Sequence, residues 1–251
     1  DEPSLASRVN WGNFNNAYPY IAIPGHPIAM FYGHIFDGVY QYTDFDKVGE
    51  SYILKDGVPN NGNAREKIQP GDIKFKDINR DGVVNDYDLT IIGNPNPKHI
   101  GGFGNNFQYK NFDLNVFFQW SYGGDVLNAN RIEFEGGDPN ARTSLNMFAS
   151  FANRWTPENQ TNELYRIGGQ GPAVYSSRTI EDGSFLRLKT VSLGYRLPNA
   201  WLKKINIKSL RVYASAQNLI TWTRYSGPDP EVSTRPTALT PSFDWSPYPR
   251  P

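Results

Sequence analysis

The stretch from Phe112 to Tyr122 restricts the fold of this chain more than any other. Phe112, Leu114, Val116, Phe118, Trp120 and Tyr122 alternate with Asp113, Asn115, Phe117, Gln119 and Ser121. A period of two places alternate side chains on opposite faces of a strand, and this run is about twice the usual strand length of 5–6 residues. A strand of that length can cross a bilayer at a tilt. Its apolar face ends in Trp120 and Tyr122, residue types that settle at a membrane interface. Tyr109-Lys110-Asn111 forms a short turn, and before it Phe103, Phe107 and Tyr109 interleave with Gly104, Asn106 and Gln108. The spacing therefore predicts an antiparallel partner. The alternative is a β-sandwich strand with one face in a protein core.

Two further strands are expected. Ser184 to Leu197 places Phe185, Val191, Leu193 and Tyr195 on one side and Leu186, Leu188, Thr190, Ser192 and Gly194 on the other, with Arg187 and Lys189 interrupting the first face. Leu210 to Trp222 places Leu210, Val212, Ala214, Ala216, Ile220 and Trp222 opposite Arg211, Tyr213, Ser215, Gln217 and Thr221. The link from Pro198 to Lys204 suits a short turn with a helical bend. A less regular strand is expected from about Ile28 to Tyr40. Between the strands, residues 43–97 and 125–182 do not alternate and read as long surface loops, the second with a short helix from about Ser144 to Trp155 that Pro157 stops. The tail from Ser226 to Pro251 is Pro-rich and unpatterned. Short turns on one side and long loops on the other are the asymmetry of a bacterial outer-membrane barrel. The expected fold is all-β: part of a large antiparallel transmembrane β-barrel with long surface loops.

Charge and composition exclude several functions. The chain has 25 basic and 25 acidic residues among 251, which gives no electrostatic case for nucleic acid or an anionic membrane surface. Tyr (15), Phe (15) and Trp (6) are abundant, as suits a sugar-binding protein or the aromatic girdles of a barrel. Cysteine is absent, which removes disulfides, thiol nucleophiles and zinc–thiolate sites. No apolar run approaches the roughly 20 residues of a spanning helix. A mean hydropathy of -0.58 does not oppose a barrel, whose strands alternate and whose loops are polar. Asp1-Glu2-Pro3-Ser4 lacks the features of a signal peptide, so the start reads as the interior of a longer precursor.

Catalysis is not expected. None of His26, His34 and His99 accompanies a nucleophile elbow. Gly101-Gly102-Phe103-Gly104 introduces a strand rather than a dinucleotide loop, and Glu133 and Glu135 read as solvated loop acids. Trp155, Tyr165, Tyr175 and Tyr225 could stack on sugar rings, but packing against loops is the commoner role for such side chains.

One segment carries a metal-like pattern. From Asp77 to Asp88, oxygen side chains fall at positions 1, 3, 5, 9 and 12 of a twelve-residue calcium loop (Asp77, Asn79, Asp81, Asn85 and Asp88). Gly82 stands at the sharp turn and Val83 offers its carbonyl at position 7. Asp88 replaces the usual Glu, as in the dockerin-type variant that this loop resembles. A structural Ca2+ ion is expected here. The alternative is an Asx-rich turn without metal.

Several stretches resemble the C-terminal third of SusC/RagA-type TonB-linked outer-membrane proteins of Bacteroidetes. They are Gly25-His26-Pro27-Ile28, Phe31-Tyr32-Gly33 and Asp37-Gly38-Val39-Tyr40-Gln41; Pro70 to Asp77; Ile92 to Lys98; Gln119 to Asp125; Arg154 to Asn159; Ser184 to Lys189; Leu193-Gly194-Tyr195; and Ala216-Gln217-Asn218-Leu219. The likeness runs from about Ile21 onward. It implies a plugged barrel that imports glycans or peptides with a SusD-like surface lipoprotein as lid and TonB as motor. It also implies loops, the calcium-like one among them, that face the lid or the cargo. The family's plug, carboxypeptidase-like extension and TonB box match nothing in the chain. Pro249-Arg250-Pro251 falls where a last strand with a terminal aromatic is expected, so the chain is expected to be a fragment or part of a split chain. The competing expectation is a secreted, calcium-stabilised β-sandwich that binds glycans. A third is a TonB-linked receptor for siderophore or cobalamin.

Overall fold

The computed structural model describes residues 4–9, 17–136, 146–172, 175–203, 206–234 and 237–245. Its strands, in chain order, are β1 (Ser4–Val9), β2 (Ala17–Ala22), β3 (Met30–Gly33), β4 (Phe36–Val39), β5 (Phe45–Val48), β6 (Ser51–Leu54), β7 (Ile73–Phe75) and β8 (Thr90–Gly93). There follow β9 (His99–Tyr109), β10 (Phe112–Tyr122), β11 (Asp125–Asn128), β12 (Ile180–Asp182), β13 (Phe185–Arg196), β14 (Arg211–Thr223) and β15 (Phe243–Asp244). The helices are α1 (Asn130–Gly136) and α2 (Asn199–Leu202). These elements form two compact units. The first is 1–95, 125–181 and 231–251, and the second is 96–124 and 182–230.

The second unit is an antiparallel sheet in the order β14-β13-β10-β9. Its strands are 11, 11, 12 and 13 residues long in chain order. Phe112 pairs with Tyr109 across the tight turn, where Lys110 has φ +54°. The register then runs unbroken to Tyr122 opposite His99. Along β10 and β13 the pairing keeps Phe112, Leu114 and Val116 opposite Tyr195, Leu193 and Val191.

One expectation is corrected here. The faces of β13 are not continuous, because Thr190 pairs with Phe117 while Leu188 pairs with Phe118. Lys189 is the extra residue of a β-bulge, and β14 answers at the same level, where Thr190 pairs with Gln217 and Leu188 with Ile220. Asn218 takes a φ of +51° there. A bulge reverses which parity faces which side. Leu186 and Leu188 therefore join the apolar face, and Phe185 and Arg187 join the polar one.

The apolar face of this sheet carries Phe103, Phe107, Tyr109, Phe112, Leu193, Val212, Ile220 and Trp222, all exposed; Leu193 and Val212 keep 49 % and 58 % of their surface. Tyr109, Phe112 and Tyr195 lie near one end, with the Phe112 and Tyr195 rings 4.6 Å apart. Trp120 and Trp222 flank Leu186 near the other. At strand rise and barrel tilt these rows stand roughly 20–25 Å apart, close to the apolar band of about 25 Å in an outer-membrane barrel. Gly101 lies under Trp120, where a Cβ would come within 2.4 Å of the indole. On the polar face the Phe117 ring covers Gly102, 2.8 Å from where a Cβ would be, and lies 3.3 Å from that position on Gly104.

The first unit is built from short strands in several small sheets. The expected strand from Ile28 to Tyr40 is two strands. β3 pairs with β8 while β4 pairs with β7, and His34 between them bridges to Ser176. Gly33 permits the change of partner, because Tyr175 and Ile92 fill the space a Cβ would take. Of the expected helix, Ser144 and Leu145 lie outside the described residues, and Ala149–Asn153 is a 3-10 turn. Among the described residues of this insert the α-helix is α1. The unpatterned tail also contributes structure: β15 pairs in parallel with β11, and Phe243 and Trp245 are buried with Tyr20, Phe31 and Leu127. Segments that read as long loops thus hold cores of their own, a second one around Val39, Ile73, Phe75 and Trp155 and a third around Tyr40, Phe45, Leu54 and Ile68.

A buried polar network ties α1 to its neighbours. The Glu135 carboxylate accepts from Ser150 Oγ (2.6 Å), Arg178 Nη1 (2.6 Å) and Arg131 Nε (2.9 Å). Burial by itself would push this carboxyl up, but the hydroxyl and the two guanidinium groups outweigh it and hold Glu135 below its ordinary value. The folded state therefore binds this proton less readily than the unfolded chain does, so the stabilisation is present above an unfolded value of about 4.3 and is lost as pH falls through the lower folded value. Thermal unfolding of the full-length receptor followed from pH 7 to pH 3 should show that loss. Glu135→Gln should be less stable at pH 7 and fall less steeply below pH 4.5. Parallel curves for the two proteins would refute the assignment.

Candidate functional site

The first unit is organised by residues that the sequence groups into separate motifs. Gly38 has φ +94°, and a Cβ there would sit 2.2 Å from the Asn162 side-chain oxygen. That oxygen accepts the Val39 amide at 2.7 Å. Gln41 accepts from Trp155 Nε1 (3.1 Å) and donates to the carbonyls of Val39 (3.1 Å) and Thr161 (3.2 Å). Gly71, at φ +92°, donates to Tyr40 O and accepts from Arg166 N, each at 2.7 Å, and the Trp155 ring lies 2.4 Å from where its Cβ would be. Beside it, Asp72 is buried and its carboxylate lies 2.7 Å from Arg166 Nε, offset from hydrogen-bond alignment, so the contact is an ion pair. Burial pushes the Asp72 carboxyl up despite the Gln69 amide and the arginine. Trp155 and Tyr165 are core side chains here, and the Tyr175 hydroxyl lies between the carbonyls of Tyr18 and Tyr32. In the second unit Tyr225 is buried too. These aromatics pack, as the commoner role predicted. Asn162 and Arg166 drew no notice in the sequence, because nothing in their neighbourhood marks them as partners of distant glycines.

Two clefts open on this scaffold. One, of about 540 Å³, is lined by residues that include Asp37, Asp44, Gln41, Gln160 and Asn162. The other, of about 360 Å³, is lined by Lys76, Asp77, Arg80 and Gly82 among others. Asp37 and Lys74 border both.

The calcium-like loop forms the rim of the second cleft. Asp77 accepts the amides of Arg80 (2.6 Å) and Gly82 (2.8 Å), and Asp81 accepts that of Val83 (2.8 Å). Asn79 Oδ1 accepts the Asp81 amide at 3.0 Å, and its amide group donates to Asp81 Oδ2 at 2.9 Å. Asp88 is fully buried; its oxygens accept the amides of Ile78 (2.7 Å) and Asn85 (2.9 Å), which closes the loop on itself. Asn85 caps the turn at Tyr87 N (2.8 Å), and the Val83 carbonyl accepts from the Asn85 side chain (3.2 Å). Gly82 has φ +85°. Asp77 and Asp88 are thus engaged with loop amides, while Asn79 and Asp81 stand exposed. Among the described residues, no group of three or more acidic or histidine side chains is gathered closely enough to hold a metal.

The polar face of the long-strand sheet is the other candidate surface. Asn106, Asn115, Ser192 and Ser215 stand in one row across all four strands. Arg211 reaches over Gly194 to Asp113, donating to Oδ1 from Nε at 3.0 Å. A Cβ on Gly194 would lie 2.4 Å from the Arg211 guanidinium and 2.6 Å from the Asp113 carboxylate. Among the described residues no helix is long and apolar enough to cross a membrane, which says nothing of crossing by strands.

Comparison with known proteins places this geometry. No family model matches the chain. It is similar to TonB-dependent receptor P3 of Formosa agariphila, 37 % identical over 224 residues, covering 89 % of this chain and 20 % of that one. It is also similar to TonB-dependent receptor SusC of Bacteroides thetaiotaomicron, 32 % identical over 188 residues, covering 74 % of this chain and 17 % of that one. Among solved structures it is similar to the RagAB peptide importer in its closed-closed state, with a TM-score of 0.63 and 26 % identity over 90 % of this chain and 22 % of that one. The chain thus spans about a fifth of the length of the relatives it matches.

Proposed function

This chain belongs to the SusC/RagA-type TonB-dependent receptors of the outer membrane, and from that premise we propose that it supplies part of the barrel wall and surface loops of a nutrient importer. The cargo in this reading is a glycan or a peptide. A SusD-like lipoprotein closes the channel, and TonB acts through parts of the receptor outside this chain. One observation carries the proposal: the four long strands keep an apolar face exposed, with aromatic rows at both ends, while the other face is polar. A glycan-binding sandwich would cover that face with a second sheet, and no described element of this unit does so. The likeness to SusC weighs against a siderophore or cobalamin receptor. The relatives are receptors and importers, so no catalytic role is proposed.

Isolation of the native complex in detergent, with mass spectrometry of the co-purifying lipoprotein and of bound small molecules, tests this reading. A surface lipoprotein and an oligosaccharide or peptide are the expected finds. A monomer that stays soluble without detergent would overturn it.

A structural calcium ion on the 77–88 loop is part of the same proposal. Its ligands would be the side chains of Asp77, Asn79, Asp81, Asn85 and Asp88 and the carbonyl of Val83. Support comes from the donor chemistry, since these are the hard oxygens calcium takes, and from the second lone pair that each amide-bonded carboxylate oxygen retains. Binding would draw the exposed Asn79 and Asp81 inward. Calcium at about 1 mM, the range of extracellular modules, should raise the unfolding temperature of the receptor, and Asp81→Asn should abolish the rise. Equal unfolding temperatures with calcium and with chelator would refute the site.

A further inference from the structure

Nearly all the polar face of the long-strand sheet is at least partly open, but one corner is closed. Arg187 and Tyr225 are each only 5 % exposed, and Phe185 is 7 %. Arg187 stands in register with Gln119 and Thr221, both on the polar face. It is there because of the Lys189 bulge, without which its parity would aim it at the apolar side. Arg187 Nε donates to Thr221 Oγ1 at 3.0 Å, and its guanidinium lies 5.0 Å from the centre of the Phe185 ring. Arg187 Nη2 donates to Asp229 Oδ1 at 2.6 Å.

Asp229 belongs to the segment that leaves β14. The strand ends at Thr223, yet Asp229 meets a residue paired with Thr221, so the chain turns back over the face it has just left. The Tyr225 amide donates to Thr223 Oγ1 at 3.1 Å. Gly227 lets the turn close, because a Cβ there would come within 2.4 Å of the Tyr225 ring.

We infer that residues 224–230 form a strap over the channel-facing side of the wall, latched by the Arg187–Asp229 ion pair, and that breaking the latch uncovers this corner of the channel. The latch stands on its own geometry; that the face beneath it lines a channel rests on the importer reading. The latch is one buried cation against a half-exposed anion, with side-chain exposures of 6 % and 52 %. The strap side is therefore the one that can leave without opening the sheet.

Phe185→Cys in the full-length receptor, with any other cysteines replaced, reports on the strap through its labelling rate with a charged maleimide, because the closed corner leaves this position only 7 % exposed. Arg187→Gln and Asp229→Asn should each raise that rate about tenfold, as for a segment released into local opening. The exchange Arg187→Asp with Asp229→Arg should bring it back toward the parent value. Asp229→Asn alters only the strap, so it remains informative even if Arg187→Gln fails to assemble as a barrel. A rate within about twofold of the parent in Asp229→Asn would overturn the latch. Two control cysteines test the other premise separately: Asn106→Cys, exposed on the polar face away from the strap, should label and Val116→Cys should not. If Val116→Cys labels instead, the wall assignment fails while the strap result stands.

Discussion

Arginine in place of Val116 should destabilise the full-length receptor by about 2–4 kcal/mol, or prevent its appearance as a folded barrel, whereas arginine in place of the adjacent Asn115 should leave it folded. Val116 stands between the two aromatic rows, paired with Val191 on the apolar face of β10. A charge there would meet hydrocarbon near the midplane, where Arg or Lys costs about 2–4 kcal/mol. Asn115 faces the other way, beside Asn106 and Ser192, in a row where water and polar groups can solvate a cation. Urea unfolding in detergent micelles and heat-dependent migration on gels both read the difference. Equal damage from the two substitutions would mean that the sheet has no lipid side, and the transporter reading would fall with it.

Gly71→Ala should cost a further independent 2–4 kcal/mol or thereabouts, from two sources. A residue with a Cβ held at φ +92° pays roughly 1–2 kcal/mol for the left-handed backbone. The methyl group would also enter the Trp155 ring, and overpacking of this kind costs about 1–3 kcal/mol. Trp155 has little room to yield, since its indole N–H is held by Gln41 and its ring packs near Tyr42. Thermal unfolding of the receptor measures the loss. Addition of Trp155→Phe should recover part of it by making space, and two strictly additive losses would show that the clash is not the cause.

Much of the wall was legible in the sequence and much of the scaffold was not. Alternation reports directly which side chains share a face, so β9, β10 and β14 were readable within a residue or so. β13 was read with its faces crossed, because a bulge leaves no mark in a pattern count; Lys189 looks like an interruption until its neighbours' register is known. Gly38, Gly71 and Gln41 stood out as parts of motifs, but Asn162, Trp155 and Arg166, which complete them, lie far along the chain. Pro157 is a helix stop that points to 144–155, whereas α1 forms where Glu135 meets Arg131 one turn away and Arg178 from a distant segment. Short strands of 2–4 residues carry too few positions for any period to show.

The long insert between β10 and β13 bears on how the wall is made. These strands are neighbours in the sheet but distant in sequence, and joining them through a slack chain would lose entropy with each doubling of the loop, about 0.6 kcal/mol at a time. Yet the insert begins with β11 and ends with β12, which are hydrogen-bonded neighbours, and Gly183 N donates to Gly124 O at 2.8 Å where the two wall strands meet it. Once that neck is tied, β13 arrives beside β10 as if from a hairpin, and the length of chain between Asp125 and Asp182 no longer sets the entropic cost of pairing the two strands.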